Sequence, residues 1–252
     1  MITIKSSREV ALMREAGRIV AEAHAWVAQA IRPGVTTQEL DEGVEGLIRR
    51  RGGTPEFLGY HGFPASICAS RNEEIVHGIP SEEVVLVEGD ILGVDVGVRY
   101  KNYIGDAAWT YPVGQIDGTS RRLLDATRRC LEIAIETVAP GRKLVDVSRA
   151  IEAHAVAEGF AVVREYAGHG LGSQMHEDPQ ILNYHDPNGR FNDVVLEPGM
   201  TLAVEPMLNV GGWETEVLAD GWTVVTKDRS RSAHFEHSLA VTDAGVEVLT
   251  VL

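Results

Sequence analysis

Apolar residues recur at helical spacing from the start of the chain, through Val10, Met13, Gly17, Val20, His24, Val27 and Ile31, until Pro33-Gly34 stops the pattern. Ser6-Ser7-Arg8-Glu9 ahead of it has the form of a capping box, in which a hydroxyl and a carboxylate satisfy free N–H groups of the first turn. A second box, Thr36-Thr37-Gln38-Glu39, opens a shorter helix with Leu40, Val44, Leu47 and Ile48 on one face and an end near Gly52-Gly53. Irregular chain follows. Gly59 to Pro64 reads as loop, Ser66 to Ala69 as a short strand, and Ile75 to Pro80 as a strand running into a turn.

The period then drops to two. Ile91 to Val98 and Tyr103 to Tyr111 are rich in β-branched and aromatic residues, and the polar break Arg99-Tyr100-Lys101-Asn102 between them predicts a β-hairpin. One face carries Gly93, Asp95, Gly97, Asp106, Ala108 and Thr110; the other carries Leu92, Val94, Val96, Val98, Tyr103 and Trp109. A turn centred on Tyr100 and Lys101 makes Asp95 and Asp106 direct cross-strand partners, with Cβ atoms roughly 4.5–5.5 Å apart. Like charges so placed destabilise a sheet unless a cation lies between them. The alternative is a hairpin with two solvated aspartates on an exposed face.

The order of elements recurs in the second half. Arg121 to Val138 is amphipathic through Leu124, Thr127, Leu131, Ala134 and Val138, and Pro140-Gly141 closes it as Pro33-Gly34 closed the first helix. Pro33 to Gly52 and Pro140 to Gly159 match without gaps at an offset of 107, with Leu40/Val147, Val44/Ile151 and Ile48/Ala155 as apolar pairs. Glu88-Gly89 and Pro198-Gly199 each precede a strand with an acid six residues after the glycine, Asp95 and Glu205. This pattern predicts an internal duplication in which each half supplies helices and sheet, and acids gather where the halves meet. Chance similarity between two helices closed by Pro-Gly is the competing account.

Composition narrows the class. A hydrophobic share of 44% over 252 residues suffices for a full core, as one large domain or two small ones. With 23 Lys and Arg against 37 Asp and Glu the formal charge is −14, which argues against nucleic-acid and anionic-membrane surfaces. Cys68 and Cys130 make neither a disulfide framework nor a CxxC motif, as expected in a reducing compartment. MITIKSSREV lacks the apolar core of a signal peptide and no apolar run is long enough to span a bilayer, so the cytoplasm is the expected location.

Beyond the hairpin, Val162 to Tyr166 reads as a strand opening into Ala167-Gly168-His169-Gly170-Leu171-Gly172, which places His169 in a glycine-rich turn. No helix-forming stretch follows, so a dinucleotide loop is a poor account of those glycines. Ala203-Val204-Glu205-Pro206 and Ala233 to Val241 each put an acid, Glu205 and Glu236, inside an apolar strand. Charged side chains are seldom buried unless paired or coordinated. Asp95, Asp106, His169, Glu205 and Glu236 together offer four carboxylates and one imidazole, the oxygen-rich donor set of two neighbouring divalent ions. Such a pair, roughly 3.5–4 Å apart, activates water and polarises a carbonyl, which points to hydrolysis.

GYHGFP, SICASRNEEIVHGIP, VDVG with GDAAWT eleven residues on, REYAGHGLG, HEDPQ, VEPM, DGWTVVTKDRS and FEHSLAVT occur in that order along the chain. In these motifs, over nearly its whole length, the sequence resembles type I methionine aminopeptidases of the short bacterial kind. The resemblance implies the α/β (α+β) pita-bread fold, one catalytic domain over 1–252 whose pseudo-symmetric halves divide near 115, with helices flanking a central antiparallel sheet. It implies that Asp95 chelates one metal, that Asp106 and Glu236 bridge both, that His169 and Glu205 complete the shell, and that Glu205 also exchanges protons with the nucleophile. His176 would meet the scissile carbonyl and His77 the peptide nitrogen, while Tyr60, Phe63, Cys68 and Trp222, with His61 beside them, would form the methionine pocket. The implied cofactors are two divalent ions, Co, Mn, Fe or Zn. The implied partners are N-termini of nascent polypeptides and methionyl peptides, with transient ribosome contact and a monomeric state. Met175 stands where the family usually has an aromatic residue, His234 where it often has glutamine, and Phe57 where a small or sulfur residue is common. Two readings compete: an Xaa-Pro aminopeptidase or prolidase of the same fold, and a non-catalytic binding protein built on it.

Overall fold

The computed structural model describes all residues, Met1–Leu252. Both capping boxes form: Ser6 and Glu9 close the start of helix α1 (Ser7–Ala30), and Thr36 and Glu39 that of α2 (Thr37–Arg50). Short strands β1 (Thr54–Pro55), β2 (Cys68–Arg71) and β3 (Glu74–Val76) lead to the hairpin β4 (Ile91–Tyr100) and β5 (Tyr103–Pro112). The second half opens with α3 (Gly118–Thr137) and α4 (Leu144–Ala157), then β6 (Ala161–Val162), β7 (Gly168–Gly170), β8 (Glu177–Ile181), β9 (Thr201–Val204) and β10 (Met207–Asn209). It ends with β11 (Thr215–Val217), β12 (Val224–Thr226), β13 (Ser232–His234), β14 (His237–Thr242) and β15 (Gly245–Val248).

Every strand pairing is antiparallel. In the first half β4 pairs with β5 on one side and with β1 and β2 on the other; in the second, β15-β14-β9-β7-β8 form a five-stranded sheet. Two three-stranded sheets, β13-β10-β6 and β11-β12-β3, complete the set, and the latter joins one strand of the first half to two of the second. Helices α1 and α2 pack Ile19, Val20, Leu40, Val44 and Ile48 against Leu92, Val94, Val96 and Val98 of the hairpin. Helices α3 and α4 bury Leu123, Leu131, Val147 and Ile151 against Leu202, Leu208 and Leu239. Each such side chain contributes roughly 1.5–3 kcal/mol by leaving water.

The halves are pseudo-symmetric, and the repetition extends to backbone hydrogen bonds. Helices α2 and α4 are both 14 residues long and lie 107 residues apart. Gly34 N–H donates to Leu86 O at 2.8 Å, and Gly141 N–H donates to Leu196 O at 2.8 Å; Leu86 and Leu196 return bonds to Val35 and Arg142. Each loop before the shorter helix is thereby tied to the chain that leads into the strand bearing Asp95 or preceding Glu205.

Several expectations need correction. The hairpin turn centres on Lys101 and Asn102, both at positive φ, and Tyr100 pairs with Tyr103. Two positive-φ residues give a turn whose twist matches its strands, and asparagine tolerates that conformation. Asp95 therefore pairs with Ala108 and Asp106 with Gly97. The register slips by two, so both acids keep the expected face. The strand expected at Ser66 to Ala69 starts two residues later, because the Ser66 and Ile67 N–H groups donate to Asp41 Oδ1 on α2. The strand expected at Val162 to Tyr166 ends at Val162.

Candidate active site and metal centre

The hairpin delivers Asp95 and Asp106 to the place where the two halves meet. Ser238 on β14 clamps Asp106 from the other half, accepting from its N–H at 2.9 Å and donating to its carbonyl at 2.7 Å. Glu236 N–H donates to Ala108 O at 2.8 Å, so a second acid is tied to the same strand.

Glu205 and Glu236 do not lie inside strands as expected. They occupy facing breaks: β9 ends at Val204 and β10 begins at Met207, while β13 ends at His234 and β14 begins at His237. Val204 pairs with His237 and Met207 with His234, which sets Glu205-Pro206 opposite Phe235-Glu236. A proline has no N–H for a ladder. The interruption lets both carboxylates turn into the cavity instead of alternating across a sheet.

His169 is also placed differently. It belongs to β7, between β8 and β9, and not to a turn. Its flanking glycines serve close approach: a Cβ on Gly168 would stand 2.4 Å from Ala203 O, and one on Gly170 would stand 2.2 Å from Asp178 O. His169 Nδ1 lies 2.9 Å from Gly170 O, so Nδ1–H donates there and the Nε2 lone pair faces the acids. Nε2 is 3.5 Å from Glu205 Oε1 and 3.9 Å from Asp106 Oδ2.

Donor atoms of Asp106, His169 and Glu236 all lie within 4.8 Å of one another. Asp95 Oδ1, Asp106 Oδ1 and Glu236 Oε1 are buried without a hydrogen-bond partner. Burial and then mutual repulsion hold Asp106, Glu205 and Glu236 well above the usual carboxylate range, and burial raises Asp95 to about 7. Burial, with His176 nearby, lowers His169 to about 3, which keeps its imidazole neutral. Crowded carboxylates with orphaned oxygens and one neutral imidazole fit divalent cations, because cations supply the partners that the protein withholds. All five expected donors meet at this site.

The acids line a cavity of about 180 Å³, whose lining also includes Phe57, Tyr60, Phe63, Cys68, Met175 and Trp222. Phe63 and Trp222 meet edge to face at 5.2 Å, and Cys68, opposite Asp95 in the β2–β4 ladder, is a buried thiol whose pKa burial pushes far up. Cys68 is thus a wall and not a nucleophile. His77 and His176 also line the cavity, His176 against both His169 at 4.4 Å and Tyr60, and His77 edge-on to Trp222 at 6.4 Å. Tyr60 Oη lies 2.7 Å from His176 Nδ1, and His77 stands edge-on to Tyr166 at 5.8 Å. Burial lowers His77 to about 4 and also lowers His176, so both are neutral near pH 7. His61 is not brought to the cavity; it is exposed and packs edge-on against Tyr60 at 4.4 Å. Val76, Tyr166 and Ala167 line the cavity without having been foreseen. Their adjacency to His77 and His169 was the available signal, but alternation gives no facing for residues outside regular strands.

Comparison with known proteins agrees with this geometry. Residues 11–243 match metallopeptidase family M24. The chain is 48% identical over 250 residues to methionine aminopeptidase 1 of Bacillus subtilis, covering 99% of each. It superposes on the crystal structure of methionine aminopeptidase from Thermotoga maritima with a TM-score of 0.97 at 46% identity, over the full length of both. Against an Xaa-Pro dipeptidase from Bacillus anthracis the TM-score is 0.76 at 24% identity, and the match covers 61% of that chain, a likeness of fold alone. A cavity of carboxylates and imidazole on a pita-bread fold, matched end to end by such relatives, means that this chain belongs to metallopeptidase family M24 and, within it, to the methionine aminopeptidases.

Proposed function

We propose that the chain removes the N-terminal methionine from polypeptides and peptides whose second residue is small, using two divalent ions held between its halves. One observation carries this reading: four crowded carboxylates and an imidazole share a single cavity with the apolar walls of Phe63, Cys68 and Trp222. Asp95, Asp106, His169, Glu205 and Glu236 would hold the ions, with Asp106 and Glu236 serving both. Divalent ions there supply Lewis-acid polarisation of the scissile carbonyl and lower the pKa of the attacking water.

The chain's own residues do the rest. Glu205 takes a proton from the attacking water and returns it to the leaving amine. Tyr60 O–H, donating to His176 Nδ1, fixes the tautomer with the proton on Nε2, the donor that meets the carbonyl oxygen as charge develops. Neutral His77 meets the peptide nitrogen. The apolar walls seat an unbranched thioether, exclude water and offer no counter-charge to a charged first residue, whose unpaired burial is costly.

This reading extends to the ions, Mn, Fe, Co or Zn, and to nascent chains met in the cytoplasm by a monomer in transient contact with the ribosome. It also takes 1–252 as one domain whose duplicated halves divide near 115. The repeated bonds of Gly34 and Gly141 support the duplication, and the Ser238–Asp106 clamp supports a single unit. No helix is long and apolar enough to cross a membrane.

The test compares kcat/KM for Met-Ala-Ser, Met-Lys-Ser, Lys-Ala-Ser and Ala-Pro-Ser with one metal-loaded preparation. Met-Ala-Ser should be cleaved far faster than the other three. Preferred cleavage of Ala-Pro-Ser would assign proline specificity, and equal rates for the two methionyl peptides would remove the small-residue rule.

A further inference from the structure

His234 lies outside the cavity lining, yet its surroundings aim it at the centre. It is 3% exposed, and its backbone is held on both sides by Thr110, whose Oγ1 accepts from His234 N–H at 2.9 Å and donates to His234 O at 2.8 Å. Its Nε2 is buried without a hydrogen-bond partner, 3.6 Å from Glu205 Oε2. The other oxygen of the same carboxylate, Oε1, faces His169 Nε2 at 3.5 Å. Glu205 therefore lies between two imidazoles, one at each oxygen.

The two rings differ in what they can offer. His169 spends its ring proton on Gly170 O and presents a lone pair, so it cannot donate to Glu205. Once bound ions keep Glu205 ionised, two lone pairs facing its carboxylate would repel it from both sides. We infer that His234 is a positioning residue for Glu205: its Nε2–H holds Oε2 and thereby sets Oε1 toward the metal-binding cluster. The present separation is a few tenths of an ångström beyond a hydrogen bond, and on this inference the bond closes when Glu205 is ionised beside bound metal. Groups that hold a metal-binding side chain in place change affinity or activity by about 10–100-fold when removed. This inference rests on the role given to Glu205 above.

The experiment uses full-length His234→Leu, His234→Gln and Glu205→Gln proteins beside wild type. Three quantities are measured: Mn²⁺ affinity of the chelator-stripped protein by calorimetry, kcat and KM on Met-Ala-Ser at saturating Mn²⁺, and Tm. His234→Leu should lose about 10–100-fold in Mn²⁺ affinity or kcat, with KM unchanged within about threefold. His234→Gln, whose amide N–H can reach the same oxygen, should restore most of that loss. Wild-type affinity and kcat in His234→Leu, with Glu205→Gln inactive, would overturn the inference while leaving the role of Glu205 intact. Equal losses in the leucine and glutamine variants would also overturn it, since packing alone would then account for both. An unimpaired Glu205→Gln would instead remove the role of Glu205, and this inference with it. Should His234→Leu fail to fold, ¹⁵N NMR of the metal-loaded wild type decides: an Nε2-protonated His234 supports the inference, and an Nδ1-protonated ring with bare Nε2 contradicts it.

Discussion

Asp95 and Asp106 stand diagonally across the hairpin, Asp95 opposite Ala108 and Asp106 opposite Gly97, so neither acid has the other as its direct partner. The diagonal leaves each carboxylate opposite a small residue, while the two side chains still converge on one another. If Asp106 serves both ions, Asp106→Asn should weaken both binding events, whereas Asp95→Asn should weaken chiefly one. A unit charge at about 4 Å in a medium of effective dielectric constant about 20 is worth about 4 kcal/mol, or roughly two to three decades of affinity. Calorimetric titration of the chelator-stripped proteins checks this. Two unaltered binding events in Asp106→Asn would contradict it.

The metal-free protein should respond to pH in a way that Asp95 reveals. Burial raises the folded-state pKa of Asp95 from 3.8 to about 7, so between these values the folded state holds a proton that the unfolded state has lost. The stability contribution of this group is present below about pH 4 and disappears as pH rises through 7. Histidines with lowered pKa values act in the opposite direction, so the comparison must be made against a variant. Metal-free Asp95→Asn should gain stability relative to metal-free wild type as pH rises over that interval, and added Mn²⁺ should reverse the order. A pH-independent difference in Tm would contradict the argument.

His176 lines the cavity, held by Tyr60 on one side and packed against His169 on the other. His176→Ala should keep its metals and lose about 10²-fold in kcat with little change in KM, the pattern of a bond made in the transition state. Tyr60→Phe removes the hydroxyl that fixes the tautomer, and a smaller fall in kcat is expected. Steady-state kinetics at saturating Mn²⁺ test both. A change confined to KM would remove His176 from the chemistry.

The sequence was most legible where a local pattern has a single physical meaning. Ser6/Glu9 and Thr36/Glu39 formed both boxes, and the alternation along Ile91 to Tyr111 put Asp95 and Asp106 on the face opposite Leu92, Val94 and Val96. The offset between Pro33 and Pro140 also reappeared in matched hydrogen bonds. Register was not legible, because it depended on Lys101 and Asn102 adopting positive φ, and a slip of two preserves every facing. Glu205 and Glu236 were recognised as misplaced acids, but the breaks that hold them arise from two distant segments meeting at Pro206 and Phe235. The glycines around His169 suggested a turn because the pattern cannot distinguish bending from close approach. His61, which the resemblance puts beside the pocket, packs against Tyr60 but is exposed and does not line the cavity.

The proposed activity is hydrolysis at an N-terminal methionine driven by metal ions that Asp95, Asp106, His169, Glu205 and Glu236 would hold. Its most direct test is the rate of alanyl-serine release from Met-Ala-Ser by one preparation assayed as purified, after chelation with elemental analysis, and after stepwise return of Mn²⁺ or Co²⁺. Release should fall to background in the stripped protein and recover as metal is restored. Full turnover by protein shown to be metal-free would contradict the account.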